Sequence, residues 1–371
     1  MLLALGSQSW AGKKDTPTAT PAPSGSPKPK FDVPIPPDHG ADFVKLPYFD
    51  ERGRLQMYFT IEHAFRVDEG HLRLTGAYMQ TYDEHQSPDA NVTITQGILD
   101  LNTRIITSDV PVTVRRSDFQ IVGQKMVFNT QTKVGHFSGH VRMIIFNRSE
   151  MAKASPTPGA SAHPAESPAK KDAATPSGPT IIDSNDMDYD GKKHVSVFTG
   201  DYYGVFVNDP SFTVNCDKLT TYMRRSGAAG PKGKGSPARS PAASPDGKAN
   251  AAANRGSGLQ RAVAEGPAAR PVVIVQDKPA AAGQEAQHDV GIAQKADYNA
   301  DTGDIILTGW PRVSQGLDTQ TATSGTTFMI MNKDGRTLKT RGSTRTVIQA
   351  QEGPEKAGDS SPAQTPGSSP Q

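Results

Sequence analysis

The chain has 371 residues, enough for two or three domains, but much of it has a composition that does not support a packed core. Five stretches rich in Pro, Ala, Gly, Ser and Lys hold 109 residues and 20 of the 30 prolines. Because they have almost no aromatic or β-branched apolar residues, we expect them to be disordered linkers. They are residues 15–30, 151–180, 226–257, 279–288 and 351–371.

The formal charge of +2 comes from these linkers, chiefly from the basic residues of 226–257. The segments that remain for folding are close to neutral or slightly acidic, which argues against a nucleic-acid-binding face. A single cysteine, Cys216, excludes an intramolecular disulfide framework. The folded parts must therefore be stabilised by packing alone.

The N-terminus resembles the end of an apolar targeting segment. Met1 to Gly6 is apolar, and Ser9-Trp10-Ala11 has small residues where a signal peptidase cleaves, but the basic start of a signal peptide is missing. Two interpretations stay open. Either residues 1–42 are the remnant of a signal or membrane anchor followed by a disordered tether, or they are an ordinary loose end.

Between the linkers, apolar residues alternate with polar ones with a period of two. Examples in chain order are Pro111 to Arg116, His140 to Ile145 and Gly204 to Val207, each bounded by Gly, Pro, Asn or Asp. We find no amphipathic helical pattern from Phe43 to Ile348. The sequence therefore predicts an all-β protein.

An internal repeat is the most informative feature of the sequence. The segments 123–129, 184–190 and 293–299 share one pattern: a small residue, Asn or Gln, a charged residue, Met or Ala, any residue, an aromatic residue, and Asn or Asp. Ten residues after each closing Asn or Asp, a glycine follows Ser or Thr, at Gly139, Gly200 and Gly309. The spacing predicts a repeated strand, turn and returning strand.

Each repeat supplies the residues that such a hairpin needs. Asn129, Asp190 and Asn299 are placed to accept hydrogen bonds from the turn backbone, and Gly191 and Gly303 are candidates for a positive φ. The closing glycines suit a bulge or corner where a strand passes from one sheet to another, with weaker echoes at Gly76 and Gly266. Stacked hairpins must share one core. That core is either filled by its own side chains, which the pattern alone favours, or left partly open as a trough for a long apolar ligand.

Two parts of the sequence resemble known families. Leu46 to Leu55, Thr107 to Val114 and Phe137 to Met143 are similar to LptC, the periplasmic lipopolysaccharide export protein. Ser184 to Tyr189, Asn215 to Tyr222 and the segments 259–266, 291–298 and 306–311 are similar to the OstA-like domain of LptA. The chain departs from both families in having no recognisable transmembrane anchor before the first part and two insertions in the second.

The resemblance implies twisted, V-shaped β jelly-roll (OstA-like) domains that hold acyl chains between two sheets. It implies a periplasmic bridge component, tethered to the inner membrane if the true N-terminus lies upstream, with lipopolysaccharide or a similar glycolipid as ligand. It implies an inner-membrane lipopolysaccharide ABC transporter and an outer-membrane LptD-like translocon as partners, and homo-oligomers through edge-strand stacking. It implies no catalytic residue, cofactor or metal.

The resemblance and the linkers together predict the domain boundaries. We expect an LptC-like domain at 43–150, a linker at 151–179 and an LptA-like domain at 180–350. The second domain is interrupted by the insertion 226–257 and a looser loop at 279–288, and a disordered tail follows at 351–371.

Alternation within the strands predicts which side chains face the trough. In the first domain they are Val112, Val114, Ile121, Met126, Phe128, Val141, Met143 and Ile145. In the second domain they are Met187, Tyr189, Val205, Val207, Phe212, Val214, Tyr298, Ile306 and Phe328. For each of these residues taken singly, alternation favours a place in an ordinary closed core over contact with lipid.

Other motifs favour structural interpretations. Asp186 to Gly191 begins like a calcium loop, but Val197 stands where the bidentate Glu is required, so a solvated strand face explains it better. Cys216 has no base beside it and fits a buried strand position.

Two rival functions stay open. A polysaccharide-active enzyme would use facing carboxylates such as Asp188 and Asp297. A non-catalytic envelope assembly or interaction module would use its strand edges to bind protein partners, without binding lipid.

Overall fold

The computed structural model describes residues 33–146, 178–224, 258–278, 287–333 and 337–348. These residues form 24 β-strands and no helix, so the predicted all-β class is confirmed. The first nine strands are β1 Gly40–Phe49, β2 Leu55–Arg66, β3 His71–Tyr82, β4 Pro88–Asp100, β5 Ile105–Ser108, β6 Val112–Arg116, β7 Phe119–Gly123, β8 Lys125–Asn129 and β9 Val134–Ile145. The next seven are β10 Thr180–Asp190, β11 Val195–Thr199, β12 Val205–Asp209, β13 Phe212–Cys216, β14 Lys218–Met223, β15 Leu259–Glu265 and β16 Val272–Lys278. The last eight are β17 Gln287–Ala293, β18 Lys295–Asn299, β19 Asp304–Thr308, β20 Arg312–Gln315, β21 Asp318–Ala322, β22 Phe328–Asn332, β23 Leu338–Arg341 and β24 Thr344–Val347.

The strands pair antiparallel throughout and separate into two sheets after β4. The first half of β4 pairs with β6, and its second half pairs with β5. The first sheet continues in the order β6, β7, β9, β10, β12, β13, β16, β17, β20, β21, β24. The second sheet continues in the order β5, β8, β9, β10, β11, β14, β15, β18, β19, β22, β23.

Strands β9 and β10 belong to both sheets. The start of β9 pairs with β8 in the second sheet, and its end pairs with β7 in the first. Strand β10 pairs with β12 near Ile182 and with β11 beyond Asp186. Because β9 and β10 also pair with each other along their length, the parts of the chain before and after residues 147–177 share both sheets.

The long strands bend where they pass between the sheets, and most of these bends change which residues face inward. In β10 the buried residues are even-numbered up to Ser184 and odd-numbered from Met187. At the register shift between them it is β9 that has one extra residue, because Gly139 and His140 lie opposite Asn185 alone. The same change occurs in β3 around Gly76, whose φ is +61°. The predicted corner at Gly139, with φ +74°, lies at the bend of β9.

The repeated turn has the geometry that the sequence predicts, with one correction. Asn129 and Asp190 each accept hydrogen bonds through Oδ1 from the two backbone amides two and three residues later, and Asn299 accepts one from the amide of Asp301. Gly303 has φ +72°, but Gly191 does not have a positive φ. The left-handed residue of that turn is His194, because the turn needs this conformation four residues after the capping side chain.

The N-terminal tether predicted for 1–42 ends earlier than expected. Val33 and Ile35 are buried in the core, and β1 begins at Gly40. Arg66 donates a hydrogen bond of 2.7 Å from Nη1 to the carbonyl of Ile35. Residues 1–32 and the predicted linkers at 151–177, 226–257, 279–286 and 351–371 lie outside the described residues.

Glycines with a positive φ should be sensitive to substitution for two separable reasons, backbone strain and crowding of the added methyl group. A Cβ at Gly309, where φ is +76°, would lie 2.7 Å from Cβ of Gln294. At Gly53, where φ is +74°, a Cβ would meet nothing within 4 Å. We expect Gly53→Ala to destabilise by about 1 kcal/mol from backbone strain alone and Gly309→Ala by about 2 kcal/mol or more, measured by urea unfolding. Equal losses would show that the corner relaxes around the added methyl group.

Cys216 should report on the packing of the second part of the chain. It is the sole cysteine, its side chain is buried on β13, and burial raises the pKa of its thiol to about 12. A protonated, covered thiol is a poor nucleophile. We expect no reaction with a thiol reagent at pH 8 in the native protein and complete reaction in denaturant. Rapid labelling of the native protein would contradict this packing.

Candidate functional site

The two sheets enclose a continuous row of apolar side chains, which we call the first apolar row. Each member is the cross-strand neighbour of the next, one per strand, through thirteen strands from β1 to β20. All thirteen residues are buried. At about 4.8 Å per strand, the row spans roughly 58 Å. Its members are Leu46, Phe59, Met79, Val92, Val114, Ile121, Met143, Ile182, Val207, Val214, Ile274, Gly291 and Val313.

A second apolar row lies on the opposing sheet. It runs through nine strands from β8 to β22, and all its members are buried. Its members are Met126, Phe137, Met187, Phe198, Leu219, Ala264, Ala296, Leu307 and Met329. Neither row is interrupted where β9 meets β10, so the apolar interior passes from one part of the chain to the other.

The structure places most of the predicted trough residues inside. The eight residues from Val112 to Ile145 are buried, as are Met187, Tyr189, Val205, Val207 and Val214. Phe212 and Tyr298 are half-buried and pack against the core, with their rings 5.8 Å apart edge to face. Whether these side chains contact lipid stays a prediction.

Ile306 and Phe328 are corrections to that set. Ile306 is 37% exposed, and the inward residues of β19 are Ile305 and Leu307. The turn between β18 and β19 places Tyr298 opposite Ile305, so inward positions on β19 are odd-numbered. Likewise Met329 and Met331, and not Phe328, face inward on β22.

Several buried interior residues are not among those that the sequence predicts to face the trough. Ile182 and Phe119 are buried at the centre of the junction between the two parts, and the Phe119 ring lies 6.3 Å from that of Tyr189 in an edge contact. Burial raises the pKa of the Tyr189 phenol to about 12, so it is neutral in the interior at ordinary pH. Ile182 could have been recognised as an inward residue only from the change in β10, where the buried positions are even-numbered up to Ser184 and odd-numbered from Met187.

Side-chain size along the second apolar row determines where space remains. Phenylalanine and methionine fill the row up to Phe198, whereas Ala264 and Ala296 leave a cavity of about 90 Å³ between the sheets. Val207 and Ile274 line it from the first sheet. The cavity holds only a few methylene groups, so the sheets must separate further to admit a full acyl chain.

The two sheets also face each other across an opening, which we call the mouth. Its borders are the turns 50–54, 83–87 and 117–118 of the first sheet and 101–104, 130–133 and 191–194 of the second. A polar cleft of about 700 Å³ lies there between the turns near Tyr48 and Tyr82 and those near Lys133 and Lys192. Two apolar rows thus run through the interior, whereas the border of the mouth is charged.

An arginine bridges the mouth where the two parts of the chain meet. The Arg116 side chain is 1% exposed, pairs with Asp118 at 2.5 Å, and lies 4.5 Å from the centre of the Phe119 ring. Its Nη1 lies 3.1 Å from Nδ1 of His194 on the second sheet. Its Nη2 donates to the carbonyl of Arg224, 3.4 Å away.

The carboxylates singled out in the sequence lie on outer faces and have partners. Asp188 is 2.9 Å from Nδ1 of His136, and Asp297 accepts a 2.8 Å hydrogen bond from Nε of Arg261. Asp190 caps its own turn. Within the described ranges, no three His, Cys, Asp or Glu side chains are grouped to hold a metal. Nor does this part of the chain contain a helix able to cross a membrane.

Filling the cavity should reduce the capacity for apolar molecules. Ala296→Phe places a ring in the space, whereas Ala268→Phe adds the same ring on an exposed loop. We expect Ala296→Phe to weaken binding of an uncharged apolar fluorescent probe about fivefold, since the ring displaces one or two methylene contacts. Fluorescence titration measures this. An equal effect of both variants would contradict a binding interior.

Part of the chain is similar to a known protein family. Residues 83–145 match the family model for lipopolysaccharide-assembly, LptC-related proteins. Among solved structures, the chain is similar to LptH, the LptA homologous periplasmic component of the conserved lipopolysaccharide transport device from Pseudomonas aeruginosa. The identity is 14%, the TM-score is 0.32, and the match covers 46% of this chain and 96% of LptH. The chain has no significant match among curated proteins.

The family match covers β4 to β9 almost entirely, including the strands at which the two sheets separate. The sequence resemblance to LptC is thereby confirmed over residues 83–145, which match the LptC-related model.

Proposed function

We propose that this protein is a non-catalytic, periplasmic component of a lipopolysaccharide transport bridge. It binds acyl chains between its two sheets and passes them from an inner-membrane ABC transporter toward an LptD-like outer-membrane translocon. The match of residues 83–145 to the LptC-related family model supports the assignment of this protein to that transport system. We assign the LptC-like part to residues 43–150 and the LptA-like part to 180–350.

The continuity of the first apolar row carries this proposal. Ile121, Met143 and Ile182 are consecutive neighbours on β7, β9 and β10, so the row crosses the junction without a polar member. A glycolipid that moves through water needs its methylene groups covered along the whole path, at about 0.8 kcal/mol each. An interior that ended at the junction would expose them there.

The strand edges at the two ends suit longer assemblies. Among the described residues, β1 pairs only with β2, and β24 pairs only with β21. Each therefore presents backbone donors and acceptors on its other side. We propose that partners or further copies add strands there and extend the trough. A module that acts only through these edges is the second candidate function.

Site-specific photo-crosslinking distinguishes the two. A benzophenone amino acid replaces the inward Phe128 and Tyr189, and the outward neighbours Val127 and Asp188 serve as matched controls on the same strands. We expect lipopolysaccharide adducts in cells at the two inward positions and at neither control, detected on immunoblots. Adducts at none of the four positions, with an unchanged β-sheet circular dichroism spectrum, would favour the protein-interaction module.

A further inference from the structure

The turns along the second sheet's border of the mouth repeat one unusual backbone feature. Arg104, Lys133 and His194 have φ of 61°, 60° and 57°, each four residues after a capping Asp or Asn. Gly303 occupies the same place in a later turn. Non-glycine residues are uncommon in this conformation, and long or bulky side chains are costly there. Three of the four turns nevertheless carry a basic or imidazole side chain at that place.

Backbone hydrogen bonds join these turns into a regular ladder. The carbonyl of Arg104 accepts a 2.9 Å bond from the amide of Thr130, and the carbonyl of Lys133 accepts one of 2.9 Å from Gly191. The carbonyl of His194 accepts from Met223 at 2.9 Å. Consecutive turns are two strands apart, which spaces them by about 10 Å along the mouth.

The side chains of this ladder reach across the mouth to the first sheet. The Arg104 guanidinium lies 4.9 Å from the centre of the Tyr48 ring. Lys133 donates from Nζ to the carbonyl of Tyr82 at 3.0 Å. His194 meets Arg116 at 3.1 Å. Gly303 has no side chain, so the ladder crosses the mouth only over the LptC-related part and the junction.

Lys133 donates its hydrogen bond to a neutral carbonyl, between charges of both signs. Desolvation has the largest effect and lowers the pKa of its ammonium group; Lys192 also lowers it, whereas Asp89, Asp83 and Glu84 raise it. Two acidic groups of the opposite border also have partners in their own turns. Asp50 accepts from the amides of Arg52 and Arg54 and pairs with the Arg54 side chain. Asp83 accepts from the amides of the turn that follows it.

We propose that Lys133, with Arg104 on the preceding turn of the ladder, is a binding site for a phosphate group on the head of an amphiphile whose acyl chains lie between the sheets. This inference rests on the proposed trough. A ligand with buried tails has its head at the mouth, and an ammonium that is only partly compensated gains more from a phosphate dianion than from a carbonyl. The ladder thus places headgroup recognition at the LptC-related end of the path.

The test compares two lipids that differ only in charge. Full-length wild-type protein and Lys133→Gln are titrated with bisphosphorylated lipid A and with the same lipid after removal of both phosphates. We expect Lys133→Gln to weaken binding of the phosphorylated lipid about tenfold and to change binding of the other less than about twofold. Lys133→Arg should retain most of the affinity.

Lys125→Gln is the matched control, because Lys125 is an exposed lysine on the neighbouring strand β8, paired with Asp109 at 3.6 Å. It should leave both affinities unchanged. Inorganic phosphate should compete with the phosphorylated lipid on wild-type protein and not on Lys133→Gln. Phosphate that binds at Lys133 without displacing the lipid would assign the site to free phosphate and overturn the headgroup assignment.

The remaining outcomes separate this site from the trough itself. In one outcome, wild-type protein binds both lipids while Lys133→Gln lowers the affinity for both equally. In that case Lys133 only closes the mouth, and the proposed phosphate site is refuted. If Lys133→Gln weakens neither, the site is likewise overturned while the trough stands. If wild-type protein binds neither lipid, the proposed function itself fails, and the site fails with it.

Discussion

The pairing of β9 with β10 is the constraint on which the rest of the structure depends. Each strand belongs to both sheets, so their antiparallel contact joins two parts of the chain that are separated in sequence by residues 147–177. It brings Met143 opposite Ile182 in the first apolar row and Phe137 opposite Met187 in the second. At the register shift between Ser184 and Asp186, β9 has one extra residue, and the inward positions of β10 change from even-numbered to odd-numbered. Without that change, half of β10 would turn its polar side inward.

The sequence was sufficient for the fold class, the repeat and most inward positions, because these depend on local chemistry. Alternation marks the inward side of a strand, and an Asn or Asp marks the turn that it caps, as at Asn129. The sequence does not reveal which alternate positions face inward after a bend or a turn. Alternation alone predicts Ile306 to face inward, but the pairing of Tyr298 with Ile305 across the turn makes the odd-numbered positions of β19 the inward ones. The left-handed position of His194 in place of Gly191 has the same origin.

The candidate site was predicted in part. The interior residues near Met143 follow from apolar alternation, but the charged mouth does not, because its members come from turns far apart in sequence. Arg116 and His194 are 78 residues apart and meet only because two sheets face each other. Single residues such as Lys133 carry no sequence signal, since a lysine in a turn is ordinarily solvated. The contrast between an apolar interior and a polar border is therefore a property of the tertiary structure, and it is the contrast that an amphiphile requires.

The cavity near Ala296 is small, so an acyl chain can enter only if side chains that now touch move apart. The most direct measurement is anomalous diffraction from crystals of the protein with a lipid that carries bromine on its acyl chain. We expect bromine peaks between the two sheets, along the first apolar row near Ile182 and Val207. Bromine peaks confined to the outer faces or to the strand edges would contradict this expectation.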